Sequence, residues 1–288
     1  MGVNIRTIKD IRSYLSQELN AIYQQPELTA LTNIIIKTLY GVTKLHEICL
    51  SDQTVTSAQF VRCIEICHEL KTGKPIQYIL GETFFYDCRI KVTSATLIPR
   101  PETEELVHNV IKDDDEYDGK IIDFGTGSGC IAIALARNLP ESEVIGIDIS
   151  EEALEVAKEN AVINNVKVTF TKGDILNFDT NMVPKAGIIV SNPPYVRESE
   201  KKLMNRNVLD YEPHQALFVS DTDPLIFYRG ILRIAEKILL PGGIVWFEIN
   251  EALCNSTLDL LGSYGYIDIE EFKDINGRDR IVKGFKGV

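Results

Sequence analysis

The stretch Lys120-Ile121-Ile122-Asp123-Phe124-Gly125-Thr126-Gly127-Ser128-Gly129 decides the fold. Its first half is an apolar run of strand length. Its second half is a glycine-rich turn that opens onto Cys130 to Arg137, a segment with helical spacing. Beyond it, Glu143 to Asp148 reads as a second strand and Glu151 to Asn164 as a second helix. The alternation continues through Val166 to Thr171, Gly187 to Ser191, a helix over Pro224 to Leu239 and the strand Gly243 to Ile249. Strands alternating with helices predict a parallel sheet covered on both faces. Near the end the rhythm changes. Tyr266 to Phe272 and Arg280 to Phe285 flank the turn segment Ile275-Asn276-Gly277-Arg278, so the last two strands should lie antiparallel at the end of the sheet. The acidic run Asp113 to Asp118 reads as a solvated loop.

Upstream the pattern is helical. Ile5, Ile8, Ile11, Leu15, Leu19 and Ile22 recur at steps of three and four, which predicts an amphipathic helix over residues 4 to 23. Leu28, Leu31, Ile35 and Leu39 predict a second helix after Pro26. Phe60, Ile64, Cys67 and Leu70 predict a third, begun near Ser57 and stopped by Gly73 and Pro75. Residues 1 to 73 therefore read as a small helical domain. From Ile76 the period changes to two: Ile76 to Leu80 and Phe84 to Val92 read as strands separated by Gly81-Glu82, giving a β-hairpin connector over residues 74 to 95. Residues 96 to 288 form the remaining α/β domain.

Composition narrows the function classes. The 288 residues carry 30 Lys and Arg against 42 Asp and Glu, a formal charge of -12. Affinity for nucleic acid rests on clustered basic residues that displace counterions, so nucleic acid is not the expected partner. No apolar run approaches the roughly 20 residues of a membrane-spanning helix, and polar Asn4, Arg6, Lys9 and Asp10 stand where a signal peptide is apolar. A cytoplasmic protein is the expectation. The six cysteines form no CxxC pair and the four histidines show no ligand spacing, so reduced thiols and no metal are expected.

Three segments carry chemistry. In Asp123 to Gly129 the glycines let the backbone turn sharply against a ligand, and the helix start behind them offers free amide donors. Tight packing alone can demand the same glycines. Asp148, 19 residues past Gly129 at the end of the next strand, is placed to accept both ribose hydroxyls of an adenosine. The GxGxG spacing lacks the third glycine of GxGxxG and leans toward S-adenosylmethionine over NAD, because the former has no pyrophosphate to wrap. Asp174, after the third strand, can accept from an adenine amine while Ile175 packs on the ring edge; a loop carboxylate in solvent explains Asp174 equally well. Ser191-Asn192-Pro193-Pro194-Tyr195 is the sharpest motif. Its prolines remove two backbone donors and fix the chain, so the carbonyls of Asn192 and Pro193 can face a crevice at the strand ends. There the Asn192 side-chain oxygen and a backbone carbonyl would accept the two hydrogens of an NH2 group, with Tyr195 covering the planar group. A rigid turn with a packed tyrosine is the competing explanation.

At this point the chain resembles a known family. The NPPY tetrapeptide, Gln77 to Gly81, Thr96-Leu97-Ile98-Pro99-Arg100-Pro101-Glu102-Thr103-Glu104, and Tyr211-Glu212-Pro213 to Leu217 look like the release factor glutamine methyltransferases. The likeness extends to the helical domain, Phe227-Tyr228-Arg229, Glu248 and Asp279-Arg280. NPPY alone is shared with DNA and RNA amino methyltransferases; the IPRPETE segment is more specific. Asp221 to Leu225 departs from the family's acidic-Gly-Leu run, and Ile175 stands where many relatives carry an aromatic residue.

The resemblance implies a seven-stranded, Rossmann-like S-adenosylmethionine-dependent methyltransferase domain preceded by the helical domain. It implies methyl transfer to the glutamine amide of the Gly-Gly-Gln motif in class-one peptide chain release factors, leaving S-adenosylhomocysteine. Asp123, Gly125, Thr126, Gly127, Ser128, Gly129, Asp148, Asp174, Ile175 and Asn192 would bind the cofactor. Asn192, Pro193, Pro194 and Tyr195 would hold the substrate amide. Arg100 and Glu102 would help close the site, although Pro101 at a helix start accounts for that segment as well. A nucleic-acid amino methyltransferase and a non-catalytic cofactor-binding interaction protein are the alternatives. Net charge counts against the first, and methyl transfer to any protein would exclude the second.

Overall fold

The computed structural model describes residues 7–41 and 53–287. The chain divides into two units that part between Leu80 and Gly81.

The first unit is helical: α1 (Ile8–Leu19), α2 (Gln25–Tyr40), α3 (Ser57–Lys71) and the short α4 (Ile76–Leu80). Capping boxes start two of them, Thr7 with Asp10 on α1 and Thr56 with Gln59 on α3, each satisfying amides that the helix leaves unpaired. Gly41 ends α2 in the left-handed conformation. The apolar stripes Ile8-Ile11-Leu15-Leu19, Leu28-Leu31-Ile35-Ile36 and Cys63-Ile66-Cys67-Leu70 meet in one core, joined by Ile76 and Ile79. The Tyr23 hydroxyl ties the turn after α1 to the end of α3 by donating to the Leu70 carbonyl at 2.9 Å. The stretch Ile76 to Leu80, expected to be a strand, is helical. Ile76 and Ile79, three apart, both turn into the core, and the Pro75 carbonyl accepts from the Tyr78 and Ile79 amides. Residues 4 to 6 of the expected first helix and Cys49 lie outside the described residues.

The second unit opens with a hairpin that differs from the expected one. β1 (Glu82–Phe85) and β2 (Cys88–Lys91) pair antiparallel, and Tyr86 and Asp87 form the turn with φ of 44° and 60°. Both central residues in the left-handed region make this a two-residue turn that matches strand twist. The run Phe84 to Val92 therefore folds back on itself. α5 (Pro101–Asp113) follows, with Pro101 in its first turn and Arg100 as its N-cap.

The βα alternation then runs as expected through β3 (Lys120–Phe124), α6 (Cys130–Asn138), β4 (Glu143–Asp148), α7 (Glu151–Ile163), β5 (Val168–Lys172) and β6 (Ala186–Ser191). Between β6 and the next long helix lies an excursion: β7 (Val196–Arg197), a 3-10 turn over Glu198–Leu203, α8 (Arg206–Tyr211) and β8 (Phe218–Val219), with β7 and β8 paired parallel. α9 (Ile226–Ile238), β9 (Leu239–Glu248), α10 (Cys254–Ser263), β10 (Tyr266–Lys273) and β11 (Asp279–Lys286) complete the unit.

The seven-stranded sheet has the order β10-β11-β9-β6-β3-β4-β5. β11 is antiparallel to both neighbours and the other pairings are parallel, as the turn at Ile275 to Arg278 led us to expect. The buried strand residues Ile122, Ile189 and Val245 pack with Tyr228, Ile231 and Leu232 of α9, and each such side chain removed from water contributes about 1.5–3 kcal/mol. Chain order reverses beside β3: the chain steps outward to β4 and β5, then returns to place β6 on the other side of β3. Such a switch point opens a crevice at the carboxyl ends of the strands, the usual ligand site of open α/β sheets. Phe124 pairs with Ser191, and Ser191 with Phe247, so the segments leaving β3, β6 and β9 emerge side by side. Among the described residues, no helix is long and apolar enough to cross a membrane.

Candidate active site

The loop after β3 is shaped by its own backbone. Gly125, Gly127 and Gly129 have φ of 72°, 54° and 79°, a region that costs other residues about 1–2 kcal/mol each. The Gly125 and Thr126 amides donate to the Ile147 carbonyl at 2.8 and 2.9 Å, clamping the loop to the end of β4. A Cβ on Gly125 would meet nothing within 4 Å, whereas one on Gly129 would lie 3.0 Å from Ala157 and 3.2 Å from Phe170. Open space at the first glycine leaves the loop accessible to a ligand; close packing at the third seats α6 against the sheet. Ser128 is held by its carbonyl, which accepts from the buried Asn160 amide at 2.9 Å.

Two carboxylates flank this loop. Asp148, at the end of β4, accepts from the Gly127 amide at 2.8 Å and from the Ser150 amide at 2.9 Å, one bond on each oxygen. Each oxygen keeps a lone pair for a further donor. Burial pushes the Asp148 carboxyl above the ordinary range, while the Ser150 and Gly127 amides hold it down. Asp123 is fully buried, and Thr126 donates to its Oδ2 at 2.6 Å. Burial pushes its carboxyl up to about 7. The Thr126 hydroxyl and the Ala132 amide pull it down, and the Asp148 charge raises it further. Its Oδ1 nevertheless makes no hydrogen bond of regular geometry among the described residues. An orphaned buried carboxylate oxygen costs free energy unless a donor reaches it. A hydroxyl-rich ligand carrying a cationic group fits this donor-poor, doubly acidic cradle, so the residues present suit S-adenosylmethionine.

Asp174 and Ile175 have local work. The Asp174 carboxylate caps the 3-10 turn Ile175–Asn177, accepting from the Leu176 amide and the Asn177 side chain, both at 2.9 Å. Ile175 is half-buried against the main core, and its Cγ2 abuts Gly230 of α9.

The segment after β6 is organised by distant residues. Ser191 donates to the Phe124 carbonyl at 2.6 Å, locking the ends of β6 and β3 together. Asn192 Nδ2 donates to Thr103 Oγ1 on α5 at 3.1 Å. Thr103 donates in turn to Glu248 Oε2 at 2.6 Å, and the Tyr195 hydroxyl donates to Glu248 Oε1 at 2.9 Å. Glu248 ends β9 and is only 1% exposed. Burial pushes its carboxyl up, against the pull of the Thr103 and Tyr195 hydroxyls and the charge of Arg280. Burial, and then the Glu248 charge, push the Tyr195 hydroxyl well above its usual range. Asn250 Nδ2 donates to the Tyr195 carbonyl at 3.3 Å, completing the hold on the tetrapeptide.

Arg100 and Glu102 lie at the start of α5, the helix that carries Thr103. The Arg100 guanidinium donates to Glu212 Oε1 at 2.6 Å, and the other oxygen of this buried carboxylate accepts from the Ile98 amide at 3.3 Å. Glu212 thus anchors the segment ahead of α5 to the excursion after β6. The departure at Asp221 to Leu225 also has local partners: Asp221 Oδ2 accepts from the Ser199 amide at 3.1 Å, and Asp223 pairs with Arg229. The network residues Thr103, Glu212 and Glu248 stand in the segments quoted above, but their roles do not. A lone carboxylate at the end of the apolar run Ile244 to Phe247 is the signal that marks Glu248.

A glycine-rich loop and a Pro-Pro turn facing one switch point, on a seven-stranded sheet with an antiparallel β11, define a Rossmann-like methyltransferase. The chain matches the family described as Methyltransferase small domain over residues 102–211 and the PrmC N-terminal domain over residues 10–81. It is 44% identical to the release factor glutamine methyltransferase of Flavobacterium psychrophilum, covering 96% of this chain and 98% of that one. It is 43% identical to the protein of the same name from Bacteroides thetaiotaomicron, over 94% and 98%. The chain belongs to the release factor glutamine methyltransferase family. A methyltransferase structure from Pyrococcus furiosus, 19% identical, superposes with a TM-score of 0.53 over 81% of this chain and all of that one, a likeness of fold.

Proposed function

We propose that this enzyme transfers a methyl group from S-adenosylmethionine to the side-chain amide nitrogen of the glutamine in the Gly-Gly-Gln motif of class-one peptide chain release factors. The observation that carries the reading is the polarity of Asn192: its Nδ2 is engaged by Thr103, and its Oδ1 is left to accept. The names of relatives that share nearly the whole chain support the substrate.

S-adenosylmethionine supplies an electrophilic methyl group when bound; transfer forms the N–C bond, breaks the S–CH3 bond, and leaves S-adenosylhomocysteine and a proton that passes to water. Gly125 to Gly129, Asp123, Thr126, Ser128, Asp148, Asp174 and Ile175 hold the cofactor, with Asn192 at its edge. An amide nitrogen is a poor nucleophile because its lone pair is delocalised. Asn192 Oδ1 and a carbonyl of the Asn192-Pro193 backbone accept its two hydrogens, an attraction that grows as positive charge develops on nitrogen. Pro193 and Pro194 keep those carbonyls in place, Tyr195 covers the amide plane, and Arg100 and Glu102 close the entrance. The helical domain of residues 1 to 73 docks the body of the release factor, since a tripeptide loop alone offers far less than the roughly 800 Å² per partner of a specific interface. We take the site of action to be the cytoplasm.

The test is incubation of the purified chain with labelled S-adenosylmethionine and separate pools of release factor, DNA and RNA. Label on the Gly-Gly-Gln glutamine, located by mass spectrometry, is expected. Label on nucleic acid and none on protein overturns the reading.

A further inference from the structure

The bonds around Glu248 run in one direction. A carboxylate only accepts, and a hydroxyl has a single hydrogen. Thr103 Oγ1 lies 2.6 Å from Glu248 Oε2, so its hydrogen goes to the carboxylate and a lone pair turns toward Asn192. The Asn192 atom 3.1 Å from that lone pair must then be the NH2 end. Asn192 Oδ1 makes no hydrogen bond among the described residues and is not sealed from solvent. Reversing the Thr103 hydroxyl would put the NH2 end of Asn192 outward, where it would repel another NH2 and attract a carboxylate. Tyr195 holds the second Glu248 oxygen at 2.9 Å, and Arg280 packs nearby with its guanidinium donating to the Ile249 carbonyl, so the carboxylate has support on both sides.

We infer that Glu248, acting through Thr103, is a positioning device that fixes which end of the Asn192 amide meets the substrate and thereby selects glutamine over glutamate. The inference rests on the reading of Asn192 to Tyr195 as the amide site. Glutamine and glutamate have nearly the same shape, so shape cannot separate them. Hydrogen-bond polarity can: an acceptor presented to the side chain suits an amide NH2 and meets a carboxylate oxygen with a lone pair. Neither Thr103 nor Glu248 touches the reacting nitrogen in this scheme.

The measurement is the affinity, with S-adenosylhomocysteine present, of full-length protein for two forms of the release factor, one carrying Gly-Gly-Gln and one Gly-Gly-Glu, alongside turnover on the first. The unaltered protein is expected to prefer glutamine by about tenfold or more, a lost hydrogen bond together with an acceptor set against a charged carboxylate oxygen costing about that. Thr103→Val keeps the shape and removes the relay; its preference should narrow to within about threefold, with turnover falling about tenfold or more. Thr103→Ser restores the hydroxyl and should restore both. Glu248→Leu, which removes both acceptor oxygens, should narrow the preference as the valine does, and provides the answer if Thr103→Val fails to fold. A Thr103→Val or Glu248→Leu protein that keeps the full preference overturns the relay, as does a serine variant that behaves like the valine. Asn192→Ala separates the two levels. If it loses the preference while Thr103→Val keeps it, the relay alone is wrong; if it keeps both preference and turnover, the amide site itself is wrong.

Discussion

The loop after β3 and the turn after β6 face the same crevice but are held in different ways. The first is self-supporting: three positive-φ glycines, two amides on the Ile147 carbonyl, and Asp148 a short distance along the chain. The second depends on partners far away in sequence, Thr103 at 89 residues from Asn192 and Glu248 at 145 from Thr103. Backbone geometry can present amides and a smooth surface, which suits a nucleoside ligand. Discrimination between similar side chains needs an oriented donor or acceptor, and orientation requires buried neighbours. Damage should therefore separate the two regions, the loop failing in binding or folding and the turn failing in chemistry.

The largest separation is expected from Asn192→Ala. Losing one preorganised acceptor in the transition state should cut turnover about a hundredfold or more, while cofactor affinity falls by far less, since Asn192 is proposed to meet the cofactor only at its edge. Steady-state kinetics and calorimetry on the folded variant measure the two. Near-normal turnover would show that the tetrapeptide is only a turn.

Gly129→Ala should fail on the other side. Its Cβ would sit 3.0 Å from Ala157, 3.1 Å from Ile133 and 3.2 Å from Phe170, at a φ of 79°. Overpacking and left-handed strain together should cost about 2 kcal/mol or more. Thermal melting should register it, whereas the same change at Gly125, with nothing within 4 Å, carries the strain alone. Equal losses at both positions would show that packing behind the loop contributes nothing.

Asp148→Ala should weaken S-adenosylmethionine binding by about tenfold or more through lost charge-assisted hydrogen bonds. Because the Gly127 and Ser150 amides also lose their acceptor, part of the loss comes from a loosened loop. Asp148→Asn, which retains one acceptor oxygen, should recover part of the affinity; unchanged affinity in the alanine variant would remove Asp148 from the cofactor set.

The same division governs what could be read from the sequence. The βα alternation from β3 to β6, the antiparallel ending and the glycine loop are local patterns, and each is recovered in the structure. Ile76 to Leu80 misled because five apolar-rich residues fit either period; burial of Ile76 and Ile79 in the helical core decides for a helix. Phe84 to Val92 hid a turn because Tyr86 and Asp87 supply positive φ without a glycine. Thr103, Glu212 and Glu248 were visible as residues but not as partners, since only the folded sheet brings the ends of β9 and β6 beside the start of α5.

Asp123 gives the smallest and most specific test of the loop. Its carboxyl is raised from an ordinary 3.8 to about 7 by burial, so between those values the folded protein holds a proton that the unfolded chain releases. Stability from this group is complete below about pH 4 and is lost as the pH rises through about 7. Asp123→Asn cannot titrate. It keeps an oxygen to accept from Thr126, and any cost of burying its NH2 group is the same at every pH. The melting temperature of the unaltered protein, relative to Asp123→Asn and without cofactor, should therefore fall progressively between pH 4 and 7, by about 2–4 °C for each kcal/mol involved. The Asp148 charge helps set the midpoint of this titration, so it moves the pH at which the difference falls without removing the fall. A difference that stays flat across this range would mean that Asp123 is charged throughout, and that its second oxygen has a donor in solution even without the cofactor.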